Sequence, residues 1–322
     1  MGAATVLMRA LCLIAALLLI SPLQAVAQQY PNKPLRLIVP FAAGGTTDVL
    51  ARTVAEQLGA SVKQAVIVEN RTGGNSLVGG QVVASATPDG YTLLFVGGAS
   101  LSTVFNKTVP FDFWTALTPV APLYQGGYFL VVNSSFPANT FKEFLAYVKE
   151  RPGKLNYGGF GGIVLATEAL KAAAGLDVVH IPYKGSAPMT AALLSGEIQM
   201  AFDAIVSYRA LIQAGRIKVL ANGGATRSTE YPDVPTVAES GFPGFLTAFN
   251  GGVWAPAGTP RDSITLLNRE LNVITRNPTY RERVRNAGAE VNAGSPEDLH
   301  RTIKTEIDFW TKVAAAVNFR PE

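Results

Sequence analysis

Two histidines and one cysteine are the residues of this chain that most readily carry out catalysis, and their positions form no reactive pair. His180 alternates with apolar residues in VVHIPY, which is typical of a structural histidine in a strand, and His300 lies in a polar helical pattern. The cysteine, Cys12, lies in an apolar N-terminal segment. No HExxH, CxxC or GxSxG motif occurs, and no carboxylate cluster has metal-ligand spacing. The sequence therefore predicts no catalytic residue, metal or cofactor, and a protein that is not an enzyme.

Glycine-rich segments between a strand and a helix offer another chemistry, the binding of an anion. PFAAGGTTDV and FGGIVLAT match neither the dinucleotide fingerprint nor the P-loop, and neither has a lysine for a phosphate. In the order strand, glycines, helix, the first N–H groups of the helix are free and carry partial positive charge. Each such terminus contributes about 0.3 to 2 kcal/mol, so two converging loops are needed. The segments predict a carboxylate site without basic side chains, although turn formation alone is the alternative explanation for the glycines.

Two aspartates lie next to predicted strand ends. Asp203 follows the strand IQMAF, where it is either the N-cap of the next helix or a group that faces a cleft and contacts a ligand. Asp48 lies just inside the first helix, where it is expected to stabilise the helix dipole or to orient the loop.

The elements that position these loops follow from the alternation of β-branched runs with helical patterns. Strands at residues 35–41, 65–69 and 91–96 enclose helices at 48–58 and 77–86, which is typical of a parallel sheet covered on both faces. A second α/β unit follows Pro119 and includes a helix predicted at 206–214. Three more helices, at 262–275, 279–287 and 296–317, close the chain, and the last begins with the capping sequence SPED. Two α/β units predict a cleft between them, where ligands usually bind.

The N-terminal segment has the features of a secretory signal peptide. Its apolar core, residues 11–20, is shorter than the roughly 20 residues that span a bilayer, which disfavours a membrane anchor. Ala25-Val26-Ala27 is a small-x-small cleavage site, so residues 1–27 are predicted to be removed. The mature chain then contains no cysteine.

The charge of the chain excludes a nucleic-acid partner. Its 27 Lys and Arg against 23 Asp and Glu give a formal net charge of +4, and the positive residues are scattered. The one cluster, RERVRNAG at residues 281–288, is typical of a solvated helix face. The 322 residues, less the 27 of the predicted signal peptide, suffice for one large or two ordinary domains with sizeable cores.

Several motifs, in this order, resemble a known family. YPNKPLRLIVPFAAGGTTDVLAR, VIVENRTGGNSLVGG, VVHIPYKGSAP, YPDVPTVAESGFPG and APAGTP are similar to the substrate-binding proteins of tripartite tricarboxylate transporters, the Bug family. The resemblance covers essentially the whole mature chain. It implies an α/β fold of the periplasmic type II binding proteins, with two lobes that are joined by crossover strands and close like a Venus flytrap on a small carboxylate.

The resemblance also implies the organisation of the lobes and of the site. Lobe 1 is expected at residues 28–125 and 249–322, which include the C-terminal helices, and lobe 2 at residues 126–248, with crossovers near 124–127 and 247–251. One carboxylate is expected between the loop at 42–46 and the loop at 159–162, and the position of Asp203 is expected to help set specificity. The candidate ligand contacts are Phe41, Ala42, Ala43, Gly44, Gly45, Thr46, Asp48, Gly98, Ala99, Gly159, Phe160, Gly161, Gly162 and Asp203.

The chain departs from the family pattern at two places in the expected cleft. The second-lobe loop commonly reads like GNGTSTH, but here it is GGFGGIVLAT, about three residues shorter by the family pattern and without the usual hydroxyls and histidine. An aromatic residue common before LLAPAGTP is replaced around Asn250-Gly251. A less polar rim leads to the hypothesis that the ligand is an aromatic or aliphatic monocarboxylate in preference to citrate.

The resemblance implies a periplasmic monomer whose partners are a small carboxylate and the two membrane subunits of a transporter. An alternative is a periplasmic sensing module that docks on a sensor kinase or receptor without transport. A secreted enzyme on the same fold is disfavoured, because the residues supply no pairing of a general base with a nucleophile.

Overall fold

Two β-sheets with flanking helices form the part of the chain from residue 33 onwards, which is one compact unit. The computed structural model describes residue 2 and residues 30–319, apart from residues 42, 45, 75, 98–103, 105, 106, 160, 161, 184 and 185. The expected signal peptide, Gly2 excepted, therefore lies outside the described residues. Within the described part, no helix has the length and apolar character needed to cross a membrane.

Strands and helices alternate along the chain. The strands are β1 (Leu35–Val39), β2 (Val66–Asn70), β3 (Thr92–Val96), β4 (Leu117–Gly127), β5 (Phe129–Asn133), β6 (Asn156–Gly159), β7 (Val179–Pro182), β8 (Met200–Asp203), β9 (Ile217–Asn222), β10 (Ala248–Pro256) and β11 (Glu290–Val291). The helices are α1 (Thr46–Val62), α2 (Leu77–Ala84), α3 (Phe113–Ala116), α4 (Phe141–Lys149), α5 (Gly162–Ala174), α6 (Ser186–Ser195), α7 (Arg209–Gln213), α8 (Arg261–Ile274), α9 (Pro278–Asn286) and α10 (Pro296–Ala316).

The strand order shows how the two sheets are connected. The first sheet has the order β11-β4-β10-β3-β1-β2, and the second has the order β7-β6-β8-β5-β9. In each sheet three strands are parallel, β1 with β2 and β3 and β6 with β7 and β8, whereas β4, β5 and β10 run antiparallel to neighbours. The chain leaves the first sheet between β4 and β5 and returns to it at β10. The fold therefore consists of two α/β lobes, each built on one sheet.

The helix signals in the sequence explain where several helices begin. Thr140 caps α4 by accepting a hydrogen bond from the Glu143 N–H, while the Glu143 carboxylate accepts one from the Asn139 N–H. Ser295 and Asp298 form the capping box expected from SPED at the start of α10. These helix starts were predictable because they depend on neighbours three residues apart.

The helix predicted at residues 206–214 is wrong. The structure has a single turn of 3-10 helix at Ile205–Ser207, followed by the short helix α7. Tyr208 separates them with a φ of −120° and a ψ of −7°, and its ring is fully buried. Because its hydroxyl group donates a hydrogen bond to Asp203 at 3.3 Å, tertiary contacts determine the break.

Helix α10 packs against the cores of both lobes. Leu299 and Ile303 belong to the core cluster of the first sheet, and Trp310, two turns later, belongs to the core cluster of the second. The lobe boundaries expected from the sequence stay a prediction, and they assign to lobe 1 a helix that contacts both lobes.

Candidate functional site

The carboxyl ends of the parallel strands in both sheets lie beside the strands that cross between the lobes. Val96 at the end of β3 pairs with Gly252, Gly127 pairs with Ala248, and Asp203 at the end of β8 pairs with Phe129. Along the crossing strands, four residues from Gly252 to Ala248 and two from Gly127 to Phe129 separate the end of β3 from the end of β8. At 3.3 Å per residue these six residues span about 20 Å. The end of β1 lies beside β3 and the end of β6 beside β8, so both glycine loops follow strands that border the same cleft.

Asp48 holds the first glycine loop in place. Its side chain is only 2% exposed and accepts hydrogen bonds from the Gly44 N–H at 2.8 Å and from Arg52 Nε at 2.9 Å, both on Oδ2. Asn70 Nδ2 donates to Asp48 Oδ1 at 2.8 Å and to the Phe41 carbonyl at 3.0 Å. The carboxylate thus connects the loop to α1 and to the end of β2.

These contacts also set the protonation of Asp48. Burial raises the pKa of the Asp48 carboxyl, but the hydrogen bonds from Arg52, Gly44 and Asn70 outweigh burial and leave the pKa below its ordinary value. Because the folded pKa lies below the unfolded value, Asp48 contributes stability at neutral pH, and this stability is lost as the pH falls through the folded pKa.

The second glycine loop begins at Gly159, where the backbone approaches its neighbours closely. A Cβ atom at Gly159 would lie 2.9 Å from Val164 Cγ2 and 3.2 Å from His180 Nε2. Helix α5 begins at Gly162, directly after the loop, and Ile163 in its first turn is buried. The free N–H groups at the start of α5 therefore lie at the carboxyl edge of the second sheet, as those of α1 lie at the edge of the first.

His180 is a structural histidine in this fold. Its ring stacks on Tyr157, with 4.9 Å between the centroids and 27° between the planes, and Nε2 lies 3.4 Å from the Gly159 carbonyl oxygen. The Tyr157 hydroxyl group donates to Glu168 at 2.5 Å, and Glu168 accepts a second hydrogen bond from Lys171 at 2.8 Å. This cluster contacts Gly159, the residue at which the second glycine loop begins. His300 lies elsewhere, with its ring 4.6 Å from that of Trp114.

Asp203 is buried at the mouth of the second sheet. Its side chain is 1% exposed, Oδ1 accepts a hydrogen bond from the Ala204 N–H at 2.7 Å, and Ser186 at the start of α6 also bonds to it. It is not an N-cap, because the following 3-10 turn is preceded by Ala204 and has no side-chain cap. Burial, opposed by the hydrogen bonds from Ser186, Ala204 and Tyr208, raises the pKa of Asp203 to about 6.

The raised pKa gives a prediction for Asp203→Asn. The folded pKa exceeds the unfolded value of about 3.9, so ionisation of Asp203 destabilises the folded state. This destabilisation grows between about pH 4 and pH 6 and reaches about 3 kcal/mol above about pH 6. We expect Asp203→Asn to raise the free energy of unfolding by about 2 kcal/mol at pH 8, with the gain shrinking towards zero near pH 4. Urea unfolding at several pH values measures this, with exposed Asp233→Asn as the matched control. An equal effect at both pH values contradicts the assignment.

Tyr124, Phe249 and Tyr128 form an aromatic cluster at the crossing strands, next to the start of α1. Tyr124 hydrogen-bonds to Thr47 of α1, and its ring lies 6.5 Å from that of Phe249, which lies 5.4 Å from that of Tyr128. Gly251, directly opposite Tyr124 in the ladder, leaves the space that the Tyr124 ring fills. Burial raises the pKa of Tyr124 to about 12, so its hydroxyl group stays protonated. Sequence reasoning missed this cluster and noted only the absence of an aromatic at Asn250-Gly251.

The structure describes eight of the fourteen predicted ligand contacts and leaves six outside the described residues. Phe41, Ala43 and Gly44 form the exposed face of the first loop, where Gly44 adopts a φ of +81° that favours glycine. Thr46 and Gly162 begin α1 and α5, and Gly159 and Asp203 end β6 and β8. Six predicted contacts lie outside the described residues: Ala42, Gly45, Gly98, Ala99, Phe160 and Gly161.

In the described part of the chain, no three His, Cys, Asp or Glu residues are grouped so that they could hold a metal ion.

Comparison with known proteins identifies close relatives of this architecture. The sequence profile of a family described as "Tripartite tricarboxylate transporter family receptor" matches residues 50–319. The solved structure of Rpa4515 from R. palustris with adipate is 34% identical, with a TM-score of 0.80, and the alignment covers 91% of this chain and 100% of that one. The periplasmic binding protein BugD is 32% identical with a TM-score of 0.76, over 91% and 100% of the two chains. MatC from Rhodopseudomonas palustris with bound malate is 28% identical with a TM-score of 0.75, over 88% and 99%.

Proposed function

The chain belongs to the tripartite tricarboxylate transporter receptor family, and from this premise we propose that it captures a small carboxylate between its two lobes and delivers it to a membrane transporter. Its structural relatives are periplasmic binding proteins, which bind a solute without transforming it. The two carboxyl edges that face one cleft, each with a glycine loop and a helix start, are the observation that carries the proposal.

The chemistry of the loops favours an acidic ligand. The described parts of both loops contain no basic side chain, and Arg52 nearby donates to Asp48 and Asn70. The free N–H groups at the starts of α1 and α5 remain to receive an anion, and they carry partial positive charge. The relatives solved with adipate and with malate bind carboxylates in the same fold. We therefore assign one ligand carboxylate to the backbone of the two loops.

The candidate contacts have different tasks in this proposal. The loop residues Phe41 to Thr46 and Gly159 to Gly162 contact the ligand through their backbone, with Gly98 and Ala99 beside them. Asp48 positions the first loop, because both of its oxygens accept hydrogen bonds from its own lobe. At the far end of the ligand, Asp203 accepts a hydrogen bond from a donor group of the ligand or from a water that binds the ligand.

The body of the ligand is expected to be apolar. Tyr124, Phe249 and Tyr128 supply aromatic surface between the loops, and Ile163 takes the place of a polar residue in the second-lobe loop. An aliphatic or aromatic acid matches this surface better than citrate does, because the hydroxyl and third carboxylate of citrate need polar partners there.

Calorimetric titration of the purified mature protein tests this selectivity. We expect adipate or a benzoate-like acid to bind at least about tenfold more tightly than citrate, since one unpaired buried polar group costs about 1 to 3 kcal/mol. Tight citrate binding with no binding of the other acids contradicts the apolar site. Failure of every carboxylate to bind contradicts the proposed function itself.

The family description supports the proposed delivery step. We propose that the chain is exported by its N-terminal signal, which is cut after Ala27, and that it acts in the periplasm as a monomer that docks on two membrane subunits. Deletion of the gene is expected to abolish uptake of the bound acid by cells. If uptake persists while the transcriptional response to the acid is lost, the sensing alternative replaces transport.

A further inference from the structure

Arg209 makes four hydrogen bonds, two within its own lobe and two that cross to the other lobe. Its Nε and Nη2 atoms donate to the two carboxylate oxygens of Glu230, both at 2.7 Å, within the second lobe. Its Nη2 and Nη1 atoms donate to the carbonyl oxygens of Arg285 at 2.8 Å and Asn286 at 2.5 Å, in the last turn of α9 in the first lobe. The carbonyls that end a helix carry partial negative charge, so a guanidinium group binds well there.

Two further features lie beside this contact. Gly288, with a φ of +71°, packs so closely against Ile205 that a Cβ atom would overlap its side chain. A cavity of about 350 Å³ lies between the lobes and α10, and its walls include Gln125, Asn222, Glu230, Arg285, Ala289 and Glu306. The lobes are therefore in contact at Arg209 but incompletely packed next to it.

The contact lies on the back of the hinge, away from the glycine loops. In the first sheet β11, which follows α9, is the edge strand next to β4, while β1 lies towards the opposite edge. In the second sheet β9 is the edge strand next to β5, while β6 lies towards the opposite edge. In both sheets the crossing strands β4, β10 and β5 therefore lie between the back edge strands, β11 and β9, and the strands that end at the glycine loops, β1 and β6. A rotation about these strands that brings the glycine loops together moves the two back edges apart.

We propose that Arg209 is a latch across the back of the hinge, which opposes closure of the cleft until its guanidinium group releases the end of α9. Glu230 holds the guanidinium plane by a two-point contact, so that the remaining N–H groups point at α9. When the lobes close on a ligand, the hydrogen bonds from Arg209 to α9 break and ligand contacts form in both glycine loops. The latch thus keeps the empty protein open, and the apparent affinity equals the intrinsic affinity multiplied by the fraction of molecules that are free to close.

The opening between the lobes can be measured without any ligand. Ile67 in β2 and Val179 in β7, 50% and 43% exposed, lie on the edge strands farthest from the hinge. Because the only cysteine of the chain is Cys12, in the predicted signal peptide, Ile67→Cys with Val179→Cys gives a doubly labelled mature protein for spin-label distance measurement. In this background Arg209→Met is expected to raise the population at the shorter distance about tenfold.

Arg227 provides the matched control. It pairs with Glu239 at 2.9 Å and donates to the Pro232 carbonyl at 3.0 Å, so it makes the same kinds of contact entirely within the second lobe. Arg227→Met is expected to leave the distance distribution unchanged. Arg209→Lys keeps the charge without the planar guanidinium group, and it is expected to shift the distance distribution less than Arg209→Met does. If Arg209→Met does not fold, the distance distribution of Arg209→Lys tests the latch.

A distribution that is unchanged or displaced to longer distances in the Arg209 variants overturns the latch. The measurement does not depend on the proposed ligand, so its failure leaves the proposed function standing. Titration with adipate adds a second readout, in which the latch predicts about tenfold tighter binding to Arg209→Met than to Arg227→Met.

Discussion

Asp48→Ala is expected to weaken ligand binding by at least about a hundredfold while the two lobes stay folded. The substitution leaves the Gly44 N–H and the Asn70 amide without the carboxylate that now accepts from both. The first loop then loses its connection to α1 and β2, so the N–H groups at the helix start no longer converge on one point. We expect the free energy of unfolding to fall by about 2 to 3 kcal/mol, because buried donors lose their partner. Calorimetry with adipate and urea unfolding measure the two effects.

Glu69→Gln is the control for Asp48→Ala. Glu69 is an acid near the end of β2, and it accepts hydrogen bonds from Arg36 at 2.7 Å and from Arg71 at 2.9 Å. These hydrogen bonds, against the opposing effect of burial, lower the pKa of Glu69 to about 2. In the described part of the chain the hydrogen bonds of the Glu69 side chain go to Arg36 and Arg71 and not to the first glycine loop, so Glu69→Gln is expected to alter stability but not affinity. Equal losses of affinity in both variants contradict a specific positioning function for Asp48.

Gly251→Ala is expected to destabilise the protein by about 3 kcal/mol and to disturb the cleft. A Cβ atom at Gly251 would overlap the ring of Tyr124, which lies directly across the ladder between β10 and β4. The ring must then move away from Thr47, its hydrogen-bond partner at the start of α1. Because α1 begins at the proposed carboxylate site, ligand affinity is expected to fall together with stability.

A double-mutant cycle tests the Gly251 prediction. Tyr124→Ala removes the ring that occupies the space, at a cost of about 3 to 5 kcal/mol. When Tyr124→Ala is already present, Gly251→Ala is expected to cost about 2 kcal/mol less than in the wild type. Additive losses in urea unfolding mean that the two residues do not share the same space, and they contradict the explanation.

The parts of the fold that depend on near neighbours in sequence were predictable. The order strand, glycines, helix at Pro40 and the capping box at Ser295 involve residues within one or two turns, and both occur in the structure. The alternation of His180 with apolar residues likewise predicted a structural histidine, and its ring stacks on Tyr157. Local spacing determines these features, so the sequence alone contains their signal.

Features that join distant segments were not predictable in the same way. Tyr124 and Gly251 meet only because β4 and β10 pair, and no short pattern in the chain indicates that pairing. Arg209 belongs to a segment predicted as one helix, whereas the burial of Tyr208 breaks that helix and leaves Arg209 at the start of α7. The latch to α9 then depends on a contact across 77 positions. Burial and long-range packing decide such features.

The central claim is that one ligand carboxylate is held by backbone N–H groups from both lobes, and a crystal structure with bound adipate tests it most directly. We expect one adipate carboxylate within about 3.2 Å of N–H groups at the start of α1 and at the start of α5, with no Arg or Lys side chain in contact with it. An adipate molecule whose carboxylates are held by basic side chains, or that contacts one lobe only in a closed structure, contradicts the claim.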